Sequence, residues 1–170
     1  EATVANEPAL GSDLTGASGT FLLNTPSDDK ADNYKYGIWF LEAGNNGKSA
    51  SLDLPELPDG WKYEGWVANS DGAWTTGKFT QASGFDSDKA GPDSGQKDGP
   101  KFPGQDYLGE SKRDLTSGYK AVISVEPDPD NSEKPFALKP LRASISDAGK
   151  GKSQELENKA APPSVTVNVE

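Results

Sequence analysis

The run Trp61-Lys62-Tyr63-Glu64-Gly65-Trp66-Val67-Ala68 constrains this chain more than any other stretch. Leu57-Pro58-Asp59-Gly60 precedes it and Asn69-Ser70-Asp71-Gly72 follows it. Proline presets φ and glycine tolerates positive φ, so both flanks read as turns. An aromatic and β-branched run between two turns is a strand. Alternation puts Trp61, Tyr63, Gly65 and Val67 on one face, and Lys62, Glu64, Trp66 and Ala68 on the other. The first face belongs on a core. Trp66, on the charged face, needs cover as well. Trp74 to Thr80 is the expected hairpin partner.

Other segments repeat the pattern. Thr20 to Asn24 is a short strand stopped by Thr25-Pro26, and Ser27 to Asn33 is a charged loop. In Tyr34 to Glu42, Tyr34, Tyr36, Ile38 and Phe40 oppose Trp39 and Leu41. Both faces are apolar, as in a central strand covered on two sides. Ala50, Leu52 and Leu54 alternate with polar residues. Gly118 to Glu126 alternates cleanly, with Tyr119, Ala121, Ile123 and Val125 inward and Lys120, Ser124 and Glu126 outward. Phe136 to Ile145 reads as a strand kinked at Pro140, and Ser164 to Glu170 as a last strand with Val165, Val167 and Val169 on one face. Residues 82–117 are rich in glycine and proline and form a long irregular insertion, pinned by Phe85, Phe102, Tyr107 and Leu108. Residues 146–158 read as a linker, with a short helix over 153–160 as the one helical candidate. About eight strands result, and they predict an all-β fold, a two-sheet antiparallel β-sandwich. The expected organisation is an N-terminal arm (1–18), a sandwich domain (19–145) and a linker with a C-terminal strand (146–170). Trp39, Tyr63, Ile123 and Val125 are expected in one core.

Composition removes whole classes of chemistry. The chain has no Cys, His or Met among its 170 residues. Disulfides, thiol nucleophiles, Ser-His-Asp triads and zinc sites of the usual kind are therefore excluded. The net charge of −10 repels nucleic acid and anionic membrane. No apolar run is long enough to span a bilayer. The missing Met and the opening Glu1-Ala2-Thr3-Val4-Ala5 suggest a processed, exported chain. A lipid anchor or membrane helix would then lie outside it.

Candidate sites are few. Asp128-Pro129-Asp130-Asn131-Ser132 is the densest set of oxygen donors, and Asp128, Asp130 and Asn131 are weak calcium candidates. The EF-hand pattern fails there, with Glu133 where glycine belongs and Lys139 where glutamate belongs. A solvated turn accounts for the stretch. Asp86, Asp88 and Asp93 form a second acidic group, read as loop solvation. Carboxylates and tryptophans abound, but none is singled out as a glycosidase pair or a sugar platform. No enzyme activity, no cofactor and no metal needed for folding are expected. The valines Val165, Val167 and Val169 are candidate interaction residues, since a free strand edge seeks a partner.

Two groups of residues fit a family. Tyr63-Glu64-Gly65-Trp66-Val67 with Thr76-Gly77-Lys78-Phe79, followed by Ala121 to Ser132 and Pro135, resembles the extracytoplasmic C-terminal domain of anti-sigma-K factors and related exported bacterial and archaeal proteins. Tyr36 to Leu41 matches an earlier aromatic strand, and the resemblance covers residues 20–145. It implies a β-sandwich outside the cytoplasm, acting as an interaction or sensing module with a protein partner. In true anti-sigma factors a separate helical domain binds the sigma factor, so that activity is not carried over. Alternatives are a cell-surface subunit that self-associates through terminal strands, pairing Thr3-Val4-Ala5 or Val165 to Val169 with a neighbour's sheet, and a carbohydrate-binding module.

Overall fold

The computed structural model describes residues 10–45, 47–110 and 112–160. The expected strand carrying Val165, Val167 and Val169 lies outside the described residues, as does Thr3-Val4-Ala5. The fold is all-β and sandwich-like. Its strands are β1 (Ser18–Leu23), β2 (Gly37–Trp39), β3 (Leu41–Gly44), β4 (Gly47–Ala50), β5 (Leu52–Asp53), β6 (Trp61–Asn69), β7 (Gly72–Phe79), β8 (Gly104–Asp106), β9 (Lys120–Pro127), β10 (Leu141–Ser144), β11 (Ser153–Glu155) and β12 (Glu157–Asn158). One sheet runs β11-β1-β2-β8, with β5 also on β1. The other runs β12-β10-β9-β6-β7, and β3-β4 is a separate hairpin. Every pairing is antiparallel.

The core lies between the two large sheets. Phe21, Leu23, Ile38 and Phe40 meet Tyr63, Val67, Phe79, Ala121, Ile123, Val125 and Leu141 there. The inward faces of β6 and β9 are those their alternation predicts. Among the described residues no helix is long and apolar enough to cross a membrane.

The strand expected over Phe136 to Ile145 is confined to Leu141–Ser144, and three further expectations need correction. Trp39 does not share a core with Tyr63, Ile123 and Val125. It joins Leu22, Leu41 and Ala90 in a second cluster, with Phe102 packed against it. The reason is the period of two: with Ile38 and Phe40 facing the sandwich, Trp39 and Leu41 must face the other way. The insertion 82–117 covers that face. Its β8 pairs with β2, and Trp39 Nε1 donates to Asp106 Oδ1 at 2.7 Å. Phe102 and the buried Tyr107 pin it as expected, whereas Phe85 stays exposed.

Second, residues 34–36 are not strand. Ala31–Tyr36 forms a 3₁₀ helix and the strand begins at Gly37. A Cβ on Gly37 would lie 2.1 Å from the Asn24 carbonyl oxygen, so only glycine brings the chains this close. Third, residues 146–160 are neither linker nor helix. β11 extends the first sheet beside β1 and β12 extends the second beside β10. Leu156, between them, is buried in the main core. Leu10, Leu14 and Ala17, from the stretch read as an arm, are buried there too.

Candidate functional site

The hairpin β6–β7 contains an irregularity that builds a site. Glu64 pairs with Lys78, but Trp66 pairs with Thr75. Two residues of β7, Thr76 and Gly77, therefore oppose Gly65, which is a β-bulge. Gly77 takes φ +102°, a conformation that favours glycine. Thr75 and Lys78 are three apart and would lie on opposite faces of a regular strand. The bulge puts both beside Glu64, on the face turned away from the core. From the other side β9 sets Ser124 opposite Glu64 and Glu126 opposite Lys62.

The result is a buried polar network. Glu64, 4% exposed, accepts a 2.6 Å hydrogen bond from the Thr75 hydroxyl on Oε1. Glu126, 1% exposed, accepts on Oε1 from the Ser124 hydroxyl and, at 2.8 Å, from the Phe136 amide. Trp66 Nε1 donates to Ser124 Oγ at 2.8 Å, which answers the need for cover on this face. Asp130 completes the group, its Oδ1 accepting from the Ser132 amide at 2.9 Å. One carboxylate oxygen from each of Glu64, Glu126 and Asp130 lies within 4.8 Å of the others. Lys78 Nζ is 3.8 Å from Glu64 Oε2 and 3.6 Å from Asp130 Oδ2, and donates to the Asp130 carbonyl at 2.6 Å. Burial pushes the Glu64 carboxyl up to about 7, against the Thr75 hydroxyl and the Lys78 ammonium, which pull it down.

The three calcium candidates part company. Asp130 points into this network. Asp128 is exposed and pairs with Lys62 at 2.8 Å, and Asn131 is exposed. Glu64 and Glu126, neither singled out as a ligand from sequence, stand where Asp128 and Asn131 were expected. Two signals pointed that way: a carboxylate two residues from a tryptophan on the outer face, and a glycine inside β7.

The second acidic group is divided too. Asp86 is buried, with Oδ2 accepting from the Gly104 amide at 2.9 Å. Asp88 is half-buried beside it, and burial raises both carboxyls, Asp86 to about 7. Both press on the bulge, since a Cβ on Gly77 would lie 2.5 Å from Asp86 Cγ and 2.8 Å from Asp88 Oδ1. Ser87 also bonds the backbone of Lys78 in both directions. The loop thus covers the outer edge of β7, a part solvation does not describe. Asp93 stands apart, against Gly109. Comparisons with protein-family models, curated proteins and solved structures find no match to this chain.

Proposed function

We propose that the chain is a non-enzymatic, exported β-sandwich that acts by binding a protein partner, an interaction or sensing module of the kind the anti-sigma-K resemblance implies. One observation carries this reading. The stretches behind the resemblance, around Glu64, Lys78 and Glu126, converge on one network, and that network holds the segment 128–140 in place. Glu126 takes the Phe136 amide, Lys78 the Asp130 carbonyl and Lys62 the Asp128 carboxylate. The Phe136 ring sets edge-on to Trp61 at 6.0 Å and stays 37% exposed. Rigid presentation of an exposed aromatic suits recognition, where aromatic anchors dominate binding energy. A general acid or base must instead reach its substrate, and Glu64 and Glu126 are only 4% and 1% exposed.

The test is a photo-reactive residue at position 136, introduced in the source cells. A discrete adduct with one other protein, lost when the group is moved to Asp59, supports the reading. A ladder of multiples of the chain's own mass favours the self-assembling subunit, and no adduct removes Phe136 as an anchor. Cell fractionation tests export separately: recovery in the cytoplasm would sink that half of the proposal.

A further inference from the structure

We propose that Glu64, Glu126 and Asp130 form a binding site for a divalent cation, best suited to calcium. This goes beyond partner binding and does not depend on it. Each of the three carboxylates keeps one oxygen without a hydrogen-bond donor: Glu64 Oε2, Glu126 Oε2 and Asp130 Oδ2. Two of these belong to side chains at least nine-tenths buried. Buried carboxylate oxygens left unpaired are costly, and native folds rarely tolerate several together without a ligand.

Lys78 does not fill the need. Its ammonium lies beyond hydrogen-bond distance of Glu64 Oε2 and Asp130 Oδ2, and its short bond goes to a backbone carbonyl. One ammonium cannot satisfy three unpaired carboxylate oxygens at once. A divalent ion could take all three as ligands.

The donors select the ion. All are hard oxygens, which favours calcium or magnesium over softer metals. Oxygens within 4.8 Å of one another can be bridged by an ion with bonds of about 2.3–2.6 Å. Donors drawn from two strands and a loop make an irregular set, which calcium accepts and octahedral magnesium resists. Glu64 also lines a cleft with Trp66, Thr75, Ser132 and Lys134, while its unpaired Oε2 is itself shielded from solvent. The ion would also tie the segment carrying Asp130 to β6 and β9 more firmly than Lys78 alone.

The full chain, freed of metal by a chelator and dialysed, is titrated with calcium chloride and followed by thermal melting. Terbium, a calcium mimic excited through nearby tryptophan, reports on the site directly. Calcium is expected to raise the melting temperature in a dose-dependent way and to displace terbium emission sensitised by Trp66. Glu64→Gln and Glu126→Gln keep side-chain shape and one acceptor, and each should weaken calcium binding about tenfold or more, since charge count sets affinity. If neither variant folds, Asp130→Asn on the half-exposed segment gives the same answer. The proposal is overturned if wild type shows no shift up to about 10 mM calcium, well above the weakest extracellular modules. It is equally overturned if all folded variants bind like wild type, or if Asp86→Asn or Asp88→Asn alone abolishes the response.

Discussion

At Gly65 a single hydrogen in place of a methyl decides whether β7 can bulge. A Cβ there would lie 2.1 Å from Thr76 Oγ1 and 3.0 Å from the Phe40 ring. Gly65→Ala should therefore cost about 1–3 kcal/mol, as overpacking does. Thr76 is fully buried with its hydroxyl unpaired, so Thr76→Ala removes the obstacle at little cost. The double variant should recover part of the loss in urea unfolding; strict additivity would show that Thr76 is not what Gly65 accommodates. Asp86 sets a pH dependence. Its carboxyl rises from 3.8 to about 7, through burial first and the neighbouring Asp88 as well. The folded state then holds the proton more tightly than the unfolded one. This stabilisation is present at low pH and is lost as pH climbs from about 4 to 7. Asp86→Asn keeps an acceptor for Gly104 and abolishes the titration. Its stability relative to wild type should improve across that window and level off above it. Chemical denaturation at a series of pH values reads the slope, and a flat difference would contradict it.

Among the elements, β9 does the most work. It lies between β10 and β6, sends Ala121, Ile123 and Val125 into the core, and holds Ser124 and Glu126 in the outer network. Ile123 is fully buried, and Ile123→Ala should cost about 2–5 kcal/mol. Equilibrium unfolding gives the number directly, and a loss under about 0.5 kcal/mol would contradict the inward facing of this strand, since even full collapse around the gap leaves the lost transfer free energy. β7 is the complementary case, an edge strand shielded by the loop around Ser87 rather than by another strand. Its bulge provides both the twist that blunts an edge and the side-chain phase the outer network needs.

The whole molecule is closed by residues far from its middle in sequence. β11 and β12, separated only by Leu156, join opposite sheets. The Asn158 amide donates to the carbonyls of Leu14, Thr15 and Ala17 at 2.7–3.0 Å, tying the segment to the chain's early residues. A chain ending at residue 145 loses both strands, exposes β1 and β10 as edges and uncovers the core at Leu156. It should lose its cooperative unfolding transition, whereas a chain ending at 160 keeps every described element. Circular dichroism melts of the two distinguish an integral closing segment from an appendage; equal melting temperatures would make 146–160 dispensable.

Strands and their facing followed from sequence alone wherever hydrophobic alternation was long: β6 and β9, and the division of Ile38 and Phe40 from Trp39 and Leu41; β7 was legible as a hairpin partner, but its bulge was not. Period two is a local property, dictated by backbone pleating, and each strand carries its own copy. Turn chemistry around Gly60 and Gly72 was legible for the same reason. Pairing across distance was not. β8, β11 and β12 are only two or three residues long, too short to show a period, and they are strands because neighbours accept their backbone bonds. The second cluster around Trp39 arises because the insertion folds back over one sheet, an event no local pattern records. The network of Glu64, Glu126 and Asp130 required all of this at once. Each residue alone is an ordinary acid on a polar face or turn. Only the register of β6 against β9, the extra residue in β7 and the return of the segment after Pro127 bring three carboxylates and a lysine out of water together.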